Sequence, residues 1–429
     1  MVDGVAIEAA WPRGELRPRV AARNALSGET IAVGAAAVSV ALLPLLRPEG
    51  PANTAPVDLV IGAAFVASLL WAGTAGIRWR FPYALPLAVF MLGGALGALA
   101  GPVPGAGITA LVQDLWLLVW CWVVANVARS PARLNLLLRT WAYSAMVWVT
   151  LLFVGLAVGS SFLTGQTTRE GSRTSLTLID PNVSANYYVI SLMIMWATQT
   201  PRSRPVRLAG YGLLIAAIVS TGSNSGIVSL AVAMAVAGLL GLYRRLGTVA
   251  AVSGACFLLL ALGIGASTIS VQGIQERAHS SRYAFLRDGI GRGAVSVEQR
   301  STLLHESVPL YERGGLLGQG PVSTKPRLQT EMAPFVKEAH DDYAAALIER
   351  GVIGVVGLLM LIFALASAAV SVGLSRLKPG FAAVLVRPNA LVGALLGTMV
   401  AETVYELLHV RHVWALFGFV AALVLWGRE

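Results

Sequence analysis

His340, Asp341 and Asp342 stand together at the mouth of an apolar stretch, in "AHDDYAAALIERGVIGVVGLLMLIFALASAAVSVG" from Ala339 to Gly373. An imidazole is largely neutral near pH 7 and can take a proton from an attacking hydroxyl, which makes His340 a candidate general base. The carboxylates beside it can fix its tautomer and stabilise the imidazolium. Glu349, further into the helix, either faces the same cavity or pairs with Arg350. The plainer reading makes His340 a helix-entry residue and the two aspartates favour the positive end of the helix as caps. The same "EAHDD" carboxylates also offer the oxygen ligands Mg²⁺ takes.

A second set of candidates is cationic. Arg173 lies in "TREGSRTSLTLIDPN" and Arg300 in "VEQRSTLLHESVPLYERGGLLGQGP", with Arg277 and Arg282 behind them in rank. A guanidinium fork binds two oxygens at once and suits a diphosphate. The plainer reading pairs these arginines with nearby Glu and Asp. The sequence carries no HExxH or EF-hand pattern and no G-x-S-x-G nucleophile signature. "STGSNSG" reads as a tight turn.

These residues need elements to hold them. Of 429 residues, 56% are hydrophobic and 13% charged, and the mean hydropathy is +0.70. Soluble domains carry about 25% charged residues, so the balance predicts a membrane protein. Runs near the roughly 20 residues that span hydrocarbon recur at 30–46, 57–76, 83–101, 108–128, 134–158, 183–199, 206–221, 225–242, 248–268, 343–371, 389–408 and 411–427. The expected fold is all-α and polytopic, with about twelve transmembrane helices in a single membrane domain, 1–429. The first run lacks a persuasive cleavage site and reads as a retained anchor. Cys121 and Cys256 both fall inside expected spans, so no disulfide framework is expected.

The arginines set the orientation. With residues 1–29 as a cytoplasmic tail, that side holds 18 basic residues, and the short loops opposite hold four, Arg47, Arg169, Arg173 and Arg411. The positive-inside rule then puts both termini in the cytoplasm. It accounts for the net charge of +10 as topology, with no nucleic-acid partner. A short loop (160–182) and a large one (270–342) fall outside. The large loop carries nine basic and nine acidic residues, so it is no polybasic lipid tract. "IQERAHSSRYAFLRDGI" and "VEQRSTLLHESVPLYERG" space apolar residues as amphipathic helices do.

Four of these stretches resemble the O-antigen ligase and polymerase superfamily of bacterial envelope glycosyltransferases. They are "DPN" at Asp180–Asn182, "STGSNSG", "RSTLLHESVPLYERGGLLGQGP" and "AHDDYAAALIERGVIG". The last looks like the family's His-x-x-Tyr/Phe…Glu-x-Gly-x-x-Gly signature, which brings in Tyr343 beside His340, Asp342 and Glu349. The resemblance covers roughly 160–370. It implies His340 as base, Arg300 and Arg173 as diphosphate ligands, a polyprenyl-diphosphate-linked glycan donor and a hydroxyl acceptor. It also implies an inverting transfer with no metal or other cofactor, in the bacterial inner membrane. Asn224 stands where the family often has arginine after serine, and Asp341–Asp342 where asparagine is common.

Two other classes fit a polytopic chain. A flippase or exporter of lipid-linked glycan favours internal repeats and mid-bilayer charge, and here Asp114, Glu402 and Glu406 are the clear acids within spans. A polyprenyl-monophosphate-dependent glycosyltransferase uses acids in the first outer loop, here Glu49 and Asp58.

Overall fold

The computed structural model describes residues 27–50, 53–167, 171–268, 270–283, 287–289, 291, 302, 305, 308–330 and 341–429. Arg300 and His340 lie outside them. The helices are α1 (Gly28–Ala41), α2 (Pro56–Thr74), α3 (Ala84–Ala100), α4 (Pro104–Val127), α5 (Pro131–Val158), α6 (Ser161–Thr164), α7 (Pro181–Thr198), α8 (Arg204–Ser220), α9 (Asn224–Thr268), α10 (Val271–His279), α11 (Thr324–Thr330), α12 (Asp342–Leu374), α13 (Pro379–Val384), α14 (Pro388–Ala401) and α15 (Arg411–Ala422). Proline opens α2, α4, α5, α7 and α14, where its missing N–H costs nothing. Ser27, Ser130 and Asp180 cap helices with side-chain oxygens, each satisfying an orphan amide.

This is an all-α membrane protein, with no strand among the described residues. Five helical segments, 56–74, 104–127, 131–158, 224–265 and 342–374, are long and apolar enough to cross a membrane, and shorter apolar helices lie at 28–41, 84–100, 388–401 and 411–427. α9 breaks at Gly247, where two runs meet. The buried core is largely apolar, as in a soluble domain, but large apolar side chains also cover the outside. Leu59, Val249, Phe257 and Phe363 are 80, 80, 73 and 75% exposed, as lipid-facing side chains are. Asn186, Thr398 and His412 are buried.

α12 packs along α3, α14 along α9 and α7, α15 along α4, and α1 along α2. The helix ends sort into two poles. At one, Arg133 pairs with Glu29 and lies over Trp71, Arg129 stacks on Trp426, and the Arg387 amide donates to the Ala197 carbonyl at 3.0 Å. This pole gathers basic residues from several loops. At the other, Thr177 donates to the Pro44 carbonyl, and Arg411 grips Asp58 through Nε (3.0 Å) and Nη2 (2.6 Å).

Arg350 finds its partner far away in sequence. Its Nη2 meets Asp114 Oδ2 at 2.7 Å, and its guanidinium lies 4.1 Å from the Phe90 ring centroid. The alternative pairing with Glu349 is therefore corrected, because the helix turns the two neighbouring side chains apart. Removing one partner of a buried pair typically costs roughly 3–5 kcal/mol. Asp114→Ala should therefore lower the unfolding temperature in detergent sharply, and Asp114→Asn, which keeps an acceptor, should lower it less. Equal, small shifts would show that the pair is incidental.

Candidate functional site

Arg173 is 9% exposed and lies where three motif-bearing segments cross. Its Nε donates to the Thr221 carbonyl at 2.8 Å and its Nη2 to Asn182 Oδ1 at 3.3 Å. Asn182 belongs to "DPN". Asp180 before it caps α7, accepting from the amides of Asn182 (2.6 Å) and Val183 (3.4 Å). Thr221 belongs to "STGSNSG", which is a turn between α8 and α9, as the sequence suggests. Gly222 sits there at φ +58°, and a Cβ on it would come 2.7 Å from the Gly289 Cα. Only glycine meets both demands.

The turn and α7 are stitched by Ser223. Its hydroxyl donates to Asn182 Oδ1 at 2.8 Å and accepts from the Gly226 amide at 3.1 Å. The neighbouring loop joins in, because Ser172 donates to Asp288 Oδ2 through its amide (3.0 Å) and its hydroxyl (2.8 Å). Burial pushes the Asp288 carboxyl up, but the two Ser172 bonds and the Arg287 guanidinium outweigh it and hold the carboxyl below its usual range. Thr174 completes the crossing, its amide donating to the Ser220 carbonyl at 3.1 Å. The 160–182 loop, the turn and part of the 270–342 loop thus meet around a fixed cation.

The start of α12 reaches the same end of the bundle. Asn186, one turn below Asn182, donates to Thr398 Oγ1 at 3.1 Å. One turn after Thr398, the Glu402 carbonyl accepts from the Asp342 amide at 3.1 Å. Asp341 is the N-cap of α12, accepting from the amides of Tyr343 (2.8 Å) and Ala344 (3.1 Å). Burial raises its carboxyl above the usual value despite those bonds.

Several residues implied by the resemblance have other occupations. The Asp342 carboxylate is buried and accepts from the amides of Leu407 (2.7 Å) and Leu408 (3.3 Å). Tyr343 donates to the Met399 carbonyl at 3.2 Å. The Glu349 carboxylate accepts from the Val322 amide (2.9 Å) and from Thr324 Oγ1 (2.8 Å). These contacts tie loops to α12 at three residues that the resemblance implies as substrate-binding. The joint is completed by Gly351 at φ +61°, whose place for a Cβ lies 2.2 Å from the Leu316 carbonyl oxygen. There the Gln319 and Gly320 amides donate to the carbonyls of Ile348 and Glu349, both at 2.8 Å. The glycines of "ERGVIG" and "GGLLGQGP" therefore lock the large loop onto α12.

Arg277 is exposed in the last turn of α10. Arg282 is exposed and spent on Tyr283, donating to its hydroxyl at 2.8 Å. Of the two amphipathic stretches, the first contains α10; in the second, residues 308–314 are helical, and Leu310 packs with Leu328 and Ile348. Asn182 and Ser223 are not among the residues whose types put them forward for chemistry, although each stands inside a quoted motif. Asp58, the acid of the monophosphate-type alternative, is gripped by Arg411 and Trp116 Nε1 (3.1 Å).

No curated protein matches the chain. Residues 209–359 match the family model described as O-Antigen ligase, a stretch that takes in the turn at Gly222, Arg300, His340 and Glu349 and begins after Arg173 and Asn182. That match supports the similarity of this chain to the O-antigen ligase superfamily over residues 209–359.

Proposed function

We propose that the protein is an extracytoplasmic glycosyltransferase of the bacterial inner membrane, moving a glycan from a polyprenyl diphosphate to an acceptor hydroxyl. The observation that carries this reading is Arg173, a buried cation seated between "DPN" and "STGSNSG" at the end of the bundle where α12 begins. The family implies lipid-linked glycan substrates, and a diphosphate is the part of such a donor that a fixed guanidinium recognises.

In the mechanism proposed, the acceptor oxygen attacks the anomeric carbon in line as the carbon–oxygen bond to the diphosphate breaks. The new glycosidic bond forms with inversion. The acceptor proton passes to His340, and Arg300 and Arg173 hold the negative charge that accumulates on the departing diphosphate. Asp341 and Asp342 serve by setting where α12 begins. No step needs a metal, so transfer should survive EDTA. Loss on chelation, restored by Mg²⁺, would instead make the aspartates ligands.

The deciding experiment supplies purified protein with native lipid-linked donor and a panel of acceptors: glycan, glycolipid and protein. Transfer of the glycan with release of polyprenyl diphosphate supports the proposal. Movement of intact donor across a vesicle membrane without transfer would favour a flippase.

The reading requires both termini in the cytoplasm and 270–342 outside. In a Cys256→Ser background, Ser280→Cys should react with an impermeant maleimide from outside and Leu246→Cys only after permeabilisation. Both positions are exposed. The opposite pattern would overturn topology and mechanism together.

A further inference from the structure

At the basic pole, remote from Arg173, a cavity of about 740 Å³ opens between α9, the end of α7 and the start of α14. Trp196, Gly238, Gly241, Arg244, Arg245 and Arg387 line it. We infer that this cavity binds the headgroup of an anionic phospholipid, with the arginines on its phosphate and an acyl chain along the apolar wall.

Basic residues at a cytoplasmic pole are expected from topology alone, so the argument rests on what distinguishes these three. Four of their basic neighbours are occupied. Arg133 pairs with Glu29, and Arg129 stacks on Trp426. Arg207 donates to the carbonyls of Gln199 (3.1 Å) and Pro201 (2.9 Å), and Lys378 to that of Trp426 (3.0 Å). Arg244 and Arg245 are exposed and form no ion pair among the described residues. Arg387 is half-buried with its guanidinium 5.7 Å from the Trp196 ring centroid, which orients the fork and leaves its charge unneutralised by any carboxylate among the described residues. Three uncompensated cations converging on one cavity repel each other, and a phosphodiester relieves that.

The cavity also has room and a floor. Nothing lies within 4 Å of where a Cβ on Gly238 would stand. Asn389 Nδ2 donates to the Ala237 carbonyl at 2.5 Å, fixing α14 against α9 below the opening. Leu242, Leu246, Leu385 and Val386 extend the lining in apolar side chains. A free phosphate would use the arginines and leave this wall unused. The inference rests on the chain spanning a membrane and is independent of the transfer chemistry.

The test uses the full chain in detergent, reading lipid adducts by native mass spectrometry and unfolding temperature with four probes: cardiolipin, phosphatidylglycerol, phosphatidylcholine and inorganic phosphate. A basic residue near an anionic headgroup is worth a factor of about five, so three give roughly 100-fold preference for anionic over zwitterionic lipid. That preference should collapse in Arg244→Gln/Arg245→Gln/Arg387→Gln and persist in Arg139→Gln. If the triple variant does not fold, Gly238→Leu, which fills the cavity with every arginine in place, should lose the adduct. Equal retention of cardiolipin in the variant that folds, or equal retention of phosphatidylcholine by the wild type, would overturn the inference. An equal stabilisation by inorganic phosphate would also overturn it, assigning the site to a free anion.

Discussion

His340→Asn should slow glycan transfer by about 10²- to 10⁴-fold, the usual worth of a positioned general base, in a protein that folds normally. The structure sharpens this test. The competing reading makes His340 a helix cap, yet Asp341 already caps α12 through the amides of Tyr343 and Ala344. Asparagine at 340 therefore removes the imidazole without removing a cap. Wild-type turnover should rise with pH as His340 loses its proton. That limb should vanish in the variant. Donor binding should change little, because the proposal gives the donor to the arginines and the bilayer. Asp341→Ala supplies the contrast, costing about 1 kcal/mol of stability as a lost cap while leaving the shape of the pH profile intact. A well-expressed His340→Asn protein with normal turnover would remove the catalytic assignment.

Much of this architecture is legible in one dimension, because its rules are local. Apolar runs mark the helices, proline and capping side chains mark their starts, and Asp180, Asp341 and the glycine of "STGSNSG" do at their positions what such residues do elsewhere. The pairings are harder to read. Nothing around Arg350 announces Asp114, which lies 236 residues earlier and reaches it only because α12 packs on α3 beside α4. Glu349 is adjacent to Arg350 and offers a charge, so sequence proximity suggests a pair that the helix geometry refuses. Asp342 looks like a second acid beside a base, but the loop after α14 brings the amides of Leu407 and Leu408 onto it. A carboxylate that accepts from buried amides is committed to them, because releasing it strands those donors.

The same logic bears on the other classes considered. A transporter would keep its intrabilayer acids facing a water-filled path. Asp114 instead neutralises Arg350, and Asp58 neutralises Arg411. Asp114 and Asp58, one acid from each of those two readings, thus hold helices together.

Arg173→Lys should lower transfer by roughly 10- to 150-fold, the equivalent of the 1.5–3 kcal/mol of a charge-assisted hydrogen bond. Lysine keeps the charge but has one nitrogen where the guanidinium has three. At this position two of those nitrogens are already engaged, Nε by the Thr221 carbonyl and Nη2 by Asn182. An ammonium that satisfies the turn cannot also take a diphosphate in a fork. The donor is charged before and during reaction, so its KM should rise, and kcat should fall as well because the leaving group gains charge in the transition state. A purely architectural Arg173 predicts something different. Loosening the same crossing elsewhere, as Ser172→Ala does by removing a hydrogen bond to Asp288, should then be as damaging to turnover at an equal loss of unfolding temperature. On the proposal, Ser172→Ala lowers stability while retaining most of the transfer. Wild-type kinetics in Arg173→Lys, or matched losses in the two variants, would return Arg173 to the scaffold and leave the diphosphate without its seat.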